Sequence, residues 1–177
     1  TKLWDVILTN KNVSVNYSKF NSEYLGLIEL LFFFLKTRII YNYLFTSQTL
    51  ISGFLGFLMK IKLLKVNYFI GRESTNVFDR FSGIKLLQYK LMYYIGYEKM
   101  NLLICQSELM KNDLKINVPF IFNKIRVKTI PNPIDHKKIK QVEGEIINII
   151  EEEIIISAGR LIYEKGFDVL IKAFKTI

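Results

Sequence analysis

One cysteine, Cys105, and one histidine, His136, occur in 177 residues. A single thiol rules out a disulfide framework, so a reducing compartment fits best. The cysteine lies in the apolar run LLICQS and reads as a buried strand residue. With no second histidine and no cysteine pair, a His/Cys metal site of the usual spacing cannot be assembled, and no metal is expected. Proline and glycine are scarce, three and nine residues, and there is no internal repeat or low-complexity tract. Long apolar runs are missing too. The nearly uncharged stretch YLGLIELLFFFL at 24–35 contains Glu29 and falls short of the roughly 20 residues that span a bilayer. The chain lacks an initiator methionine and a signal-like basic start at Thr1, and it stops inside a helical pattern, so an internal fragment of a longer protein is expected.

What is present is a chain that is 50% hydrophobic, long enough to bury a core and to rule against disorder. Twenty-five Lys+Arg against sixteen Asp+Glu give a net charge of +9. That excess favours a phosphate-bearing ligand, an anionic membrane surface or nucleic acid without choosing among them. The wealth of Ile, Leu, Lys, Asn, Phe and Tyr is also what AT-rich coding DNA produces, which discounts part of the charge.

Short β-rich runs alternate with longer helical patterns, the sign of βαβ units around a parallel sheet. Strands are expected at 5–9, 38–45, 65–70, 101–107, 124–130 and 153–157. Helices are expected at 21–36, 48–62, 79–98 and from Ser107, a candidate N-cap, to about Leu114. PNPID at 131–135 forbids helix and reads as a rigid turn out of the sheet. The charged segment 136–152 reads as a linker between a domain at 1–135 and a new unit opening at 153.

The chemistry concentrates in ISAGRLIYEKGFDVLIKAF, residues 156–174. A buried strand ending at Ser157 would lead through Gly159 into a loop at the sheet's C-terminal edge, where open α/β sheets bind ligands. Phe167, Leu170, Ile171 and Phe174 fall on one face and are expected to fix the next helix against the sheet. Its N-terminal amides would then lie near Arg160 and Lys165, a planar fork and a compact charge suited to a diphosphate. The bland alternative is an ordinary turn with two solvated cations.

Four segments in order, FIGREST (69–75), LLICQSELMKNDL (102–114), KIRVKTIPNPID (124–135) and SAGRLIYEKGFDVLIKAF (157–174), resemble the family 4 glycosyltransferases of GT-B fold. The resemblance implies two facing Rossmann-like domains: most of the acceptor-side one at 1–135, and the first βα unit of the donor-side one at 153–177. It also implies a retaining, metal-independent transfer from a UDP- or GDP-sugar to a glycan or lipid-linked acceptor in surface-polysaccharide synthesis, without a cofactor. Arg160 and Lys165 would meet the donor diphosphate, and Gly159, Arg72 and Glu73 would help bind substrate. Many members carry histidine where this chain has Gly71-Arg72-Glu73-Ser74, a departure that implies a subgroup building cell-surface polysaccharides. For Glu73 a solvated loop carboxylate paired with Arg72 stays open. The family's opening glycine-rich loop and its two downstream glutamates, seven residues apart, are not found in these residues, so the fragment alone is expected to be inactive. A cytoplasmic location, with peripheral contact at the inner membrane face, follows from the same resemblance.

Other signals carry less. His136 and the acids of EGEIINIIEEE (143–153) read as solvated linker, and Phe32, Phe33 and Phe34 chiefly as core. The interleaved tyrosines and lysines of 85–99 fit a nucleic-acid face or, by preference, an amphipathic helix with a basic rim for a membrane. No nucleic-acid partner is expected. The rival to the enzyme is a non-catalytic basic α/β binding module, a pseudoenzyme partner or adaptor.

Overall fold

A computed structural model of the chain describes residues 8–37, 39–143 and 155–175. The chain divides into two compact units, Thr1–Pro133 and Ile134–Ile177. In the first, α1 (Glu23–Lys36), β1 (Ile40–Thr46), α2 (Thr49–Lys60), β2 (Lys65–Glu73), α3 (Val77–Arg80), α4 (Gly83–Gly96), β3 (Leu102–Cys105), α5 (Glu108–Asn117), α6 (Phe120–Lys124) and β4 (Arg126–Thr129) follow in order. The four strands are parallel and lie in the order β1-β2-β3-β4. This is an α/β unit with a parallel sheet flanked by helices, a Rossmann-like arrangement.

Each crossover steps to the next strand in the same direction, and right-handed connections then bring successive helices to the same face. One cluster accordingly joins Leu55 and Leu58 of α2, Tyr93 of α4 and Leu114 of α5 to Phe69, Leu103 and Cys105 of the strands. The alternation along β2 buries Phe69, Gly71 and Glu73 on that inner face. Ser107 caps α5 as expected, its hydroxyl accepting from the Met110 amide at 3.2 Å.

The closest approach in this layer is between α2 and α4. A Cβ on Gly56 would stand 2.1 Å from the Gly96 carbonyl oxygen, one on Gly96 1.9 Å from that of Gly53, and one on Gly53 2.5 Å from the Met92 Cβ. Backbone meets backbone, so only glycine fits. Two residues past Gly96, Glu98 ties the same pair by binding Lys60 at 2.8 Å and Lys124 at 2.6 Å. These two cations hold its carboxyl at about 2.

Several sequence expectations are corrected. The helix expected over 79–98 is interrupted: α3 ends at Arg80, and Gly83, at φ 58°, restarts the chain as α4 after an extended Ser82. Pro119 stands at the N-cap of the short helix α6, in a stretch where no element was expected. Leu8 and Thr9, the described end of the strand expected at 5–9, are helical and turn residues.

In the second unit, the described part of the expected linker is a helix, α7 (His136–Glu143), followed by a 3-10 turn (Tyr163–Lys165) and α8 (Phe167–Phe174). Residues 155–157, the described part of the strand expected at 153–157, form no strand and are exposed. All four described strands belong to the first unit's sheet, so these residues have no ladder to join. Leu170, Ile171 and Phe174 of α8 are exposed as well, not buried against a sheet as their spacing suggested.

The glycine contact gives a direct prediction. Gly96→Ala should lower unfolding free energy by about 3 kcal/mol, because the added methyl overlaps a main-chain carbonyl. Gly26→Ala in α1, where a Cβ would meet only the Ser18 hydroxyl at 3.6 Å, should be neutral or gain up to about 1 kcal/mol. Urea melts of the two variants measure the difference.

Candidate functional site

The C-terminal edge of the sheet carries two of the sequence-predicted site residues, Arg72 and Glu73. Arg72 and Glu73 are consecutive at the end of β2, so the pleat sends them to opposite faces. Arg72 is half-buried and donates through Nη2 to the Asn132 side-chain oxygen, while Asn132 in turn donates to Gln106 at 3.4 Å. The turn containing Asn132 is therefore latched to the strand ends. Next to it, the Ser74 hydroxyl donates to the Ser47 carbonyl at 2.7 Å.

Glu73 is only 2% exposed, so the reading of a solvated carboxylate paired with Arg72 is overturned. Its Oε2 accepts from Thr49 Oγ1 at 2.9 Å, and its Oε1 accepts from the Tyr97 hydroxyl at 2.5 Å. Burial raises the carboxyl above its usual range, opposed by the hydroxyls of Tyr97, Thr49 and Tyr93. Burial, then the charge of Glu73, holds both tyrosines well above 10, so they stay donors. The neighbouring Cys105, opposite Glu73 in register, is pushed up to about 12 by burial and by the same carboxyl. Such a thiol is inert at neutral pH. A second buried pair, Thr46 and Ser52, meets at 2.7 Å.

Of the tyrosines in 85–99, Tyr93 and Tyr97 serve this network, while Tyr94 is exposed and stacks on Phe120 at 4.4 Å. Tyr89, Tyr93 and Tyr97 recur every four residues on the inward side, Tyr93 stacking on Phe78 at 5.7 Å and touching Tyr97 at 4.4 Å. Lysines do rim the stack, Lys85 lying 4.5 Å from the centre of the Phe81 ring.

Gly159, Arg160 and Lys165 belong to the second unit, Arg72 and Glu73 to the first. All three are exposed. The Arg160 carbonyl accepts from the Ile162 amide at 2.8 Å, and the Lys165 amide donates to Ile162 at 3.0 Å, making a compact turn that Gly166, at φ 62°, passes into α8. Lys165 folds its stem back to Gly159, whose added Cβ would lie 3.5 Å from it, an ordinary contact. The turn thus brings Gly159 and Lys165 together, but the described residues before it, 155–157, form no strand to lead into it as expected. Asp168 in the first turn of α8 sets an acid near the same helix start. His136 is exposed.

Thr49, Tyr93, Tyr97 and Asn132 were not singled out from sequence. The four-residue tyrosine spacing was a usable signal for two of them. Thr49 and Tyr97 each lie 24 residues from Glu73, with no local pattern to link them. Among the described residues no group of acids, histidines and cysteine is arranged to hold a metal, and no helix is long and apolar enough to cross a membrane. Comparison with known protein families, curated proteins and solved structures finds no match to this chain.

The two carboxyls give opposite pH slopes. Glu73 is raised, so its contribution is complete below the unfolded carboxyl value and is lost as pH rises through the folded one. Glu98 is lowered, so its contribution is complete above that unfolded value and is lost as pH falls toward about 2. Glu73→Gln should flatten the decline in melting temperature on the neutral side, and Glu98→Gln the decline on the acid side. Thermal melts from pH 2 to 8 read both; an unchanged neutral limb in Glu73→Gln would remove Glu73 as its source.

Proposed function

We propose that the chain contributes the acceptor-side Rossmann-like domain, and the opening of the donor-side one, to a retaining glycosyltransferase. The transfer would carry a hexose or N-acetylhexosamine from a UDP- or GDP-sugar to a glycan or lipid-linked acceptor in surface-polysaccharide synthesis. What supports this most is the parallel sheet ending in Arg72 and Glu73, followed in chain order by the turn that gathers Gly159, Arg160 and Lys165. In this reading Arg160 and Lys165 balance the charge that grows on the departing diphosphate, without a metal. Arg72, presented on the sheet edge by Asn132, meets the acceptor or donor sugar. Glu73 shapes that edge from inside through Thr49 and Tyr97. Peripheral contact with an anionic membrane is supported by α4, which exposes Ile84, Leu87 and Leu91 along one side beside Lys85.

A second reading, a non-catalytic basic α/β binding module, is favoured by one observation: Arg160 and Lys165 stand exposed on a turn beside a helix whose apolar residues are also exposed.

The complete reading frame containing these residues, assayed with UDP- and GDP-sugars, separates the two. Arg160→Ala and Lys165→Ala should each lower kcat by about 10²-fold or more with the melting temperature unchanged. Turnover equal to wild type in both would leave two solvated cations and favour the module.

A further inference from the structure

The positive charge of Arg72 is left unbalanced by its surroundings. Its guanidinium donates to the side-chain oxygen of Asn132, which belongs to a neutral amide and so fixes the group without neutralising it. Among the described residues the ion pairs join Lys60 and Lys124 to Glu98 and Lys111 to Glu108, and none reaches Arg72. Glu73, next in sequence, is buried on the other face and directs its oxygens to Thr49 and Tyr97. A half-buried cation without a counter-charge is a place for an anion.

Its neighbours say which kind. Arg72 pairs in register with Ile104, and Ile104 with Lys128. The two cations therefore share a face, roughly 10 Å apart across two strand spacings, too far for one small anion to touch both. Asn132 also donates to Gln106, just past the end of β3, at 3.4 Å. The turn holding Asn132 is thereby drawn across the end of β3 to the end of β2. It orders the arginine fork at the C-terminal edge, where open α/β sheets meet their ligands, so little side-chain freedom is left to lose when a ligand arrives.

We propose that Arg72, held by Asn132 and flanked by Gln106, selects an acidic sugar by binding the carboxylate of a uronic-acid residue in the acceptor. That this sugar is an acceptor rests on the transferase reading; that it is acidic rests on Arg72. A guanidinium is a planar fork that meets a carboxylate through two parallel hydrogen bonds. A phosphate carries up to about two charges near neutral pH, and one arginine with Lys128 out of reach balances a single charge. The hydroxyls of the same sugar ring suit the two side-chain amides beside the fork, each of which can donate and accept. Asn132 is a positioning residue in this site, and Arg72 is the contact.

The test titrates the whole chain with methyl glucuronide, methyl glucoside and inorganic phosphate, and reads the amide shifts of Arg72, Gln106 and Asn132 by NMR. The glucuronide should bind at least about tenfold tighter than the glucoside, and tighter than phosphate. Arg72→Gln should abolish that preference, and Arg72→Lys should lose most of it because an ammonium offers no fork. Asn132→Ala should weaken glucuronide binding by about threefold to tenfold yet keep the preference, since the charge stays while its anchor goes. An unchanged melting temperature checks the fold of each variant. Equal binding of glucuronide and glucoside to the unaltered chain, or no binding of either, would overturn the proposal without any variant. So would tighter binding of phosphate, shifts confined to other surfaces, or a preference that survives Arg72→Gln. The transferase reading fails separately: no turnover of UDP- or GDP-sugars by the complete frame, with the glucuronide preference intact, would place the acidic-sugar site on a binding module.

Discussion

The main-chain contact between α2 and α4 is the constraint on which the first unit rests. Gly53 and Gly56 on one helix and Gly96 on the other let the two backbones meet without an intervening side chain. That distance decides where Thr49, at the start of α2, and Tyr93 and Tyr97, at the end of α4, stand relative to the sheet. Both groups converge on one carboxyl at the tip of β2. Glu98, the residue after Tyr97, and its two lysines tie the same pair through Lys60, the last residue of α2. The pair is therefore held in two ways: by charge at the surface, where solvent weakens it, and by hydroxyl donors in the interior, where an unpaired carboxylate would be costly.

The buried carboxyl divides the edge of the sheet into two kinds of chemistry. Arg72 faces outward and is held by an amide, free to meet an anion; Glu73 faces inward and is satisfied by hydroxyls. Adjacent residues with opposite duties are what a strand end permits, since the pleat alternates their directions. The inward residue can affect the outward one only through the backbone they share.

Much of the first unit was legible in the sequence because its signals are local. The strand at 65–70, the helices at 21–36 and 48–62, and the Ser107 cap each depend on spacing within a few residues, and each is present within a few residues of its expected bounds. What was not legible depends on neighbours. The Ile-rich residues 155–157 have strand chemistry, but a strand needs a partner, and none of the described strands lies in that unit. The stripe of α8 has helix chemistry and does form a helix; its burial depended on a layer that the described residues of that unit do not supply. For the candidate site, Arg72 and Glu73 were found as a pair, but their separate environments were not, because Asn132, Thr49 and Tyr97 come from distant parts of the chain. The long helix of 79–98 was misjudged for a smaller reason: periodicity continues across Ser82-Gly83, while the backbone does not.

The unidirectional strand order also has a consequence for ligand geometry. Open α/β sheets form their crevice where strand order reverses and neighbouring loops part toward opposite faces. Among the four described strands there is no reversal. Successive loops at the C-terminal edge lean the same way and leave a rim, with Arg72 and Asn132 upon it. A rim touches a ligand from one side only, so a molecule resting there keeps much of its water and loosens quickly. Firm retention on this edge requires an opposing wall.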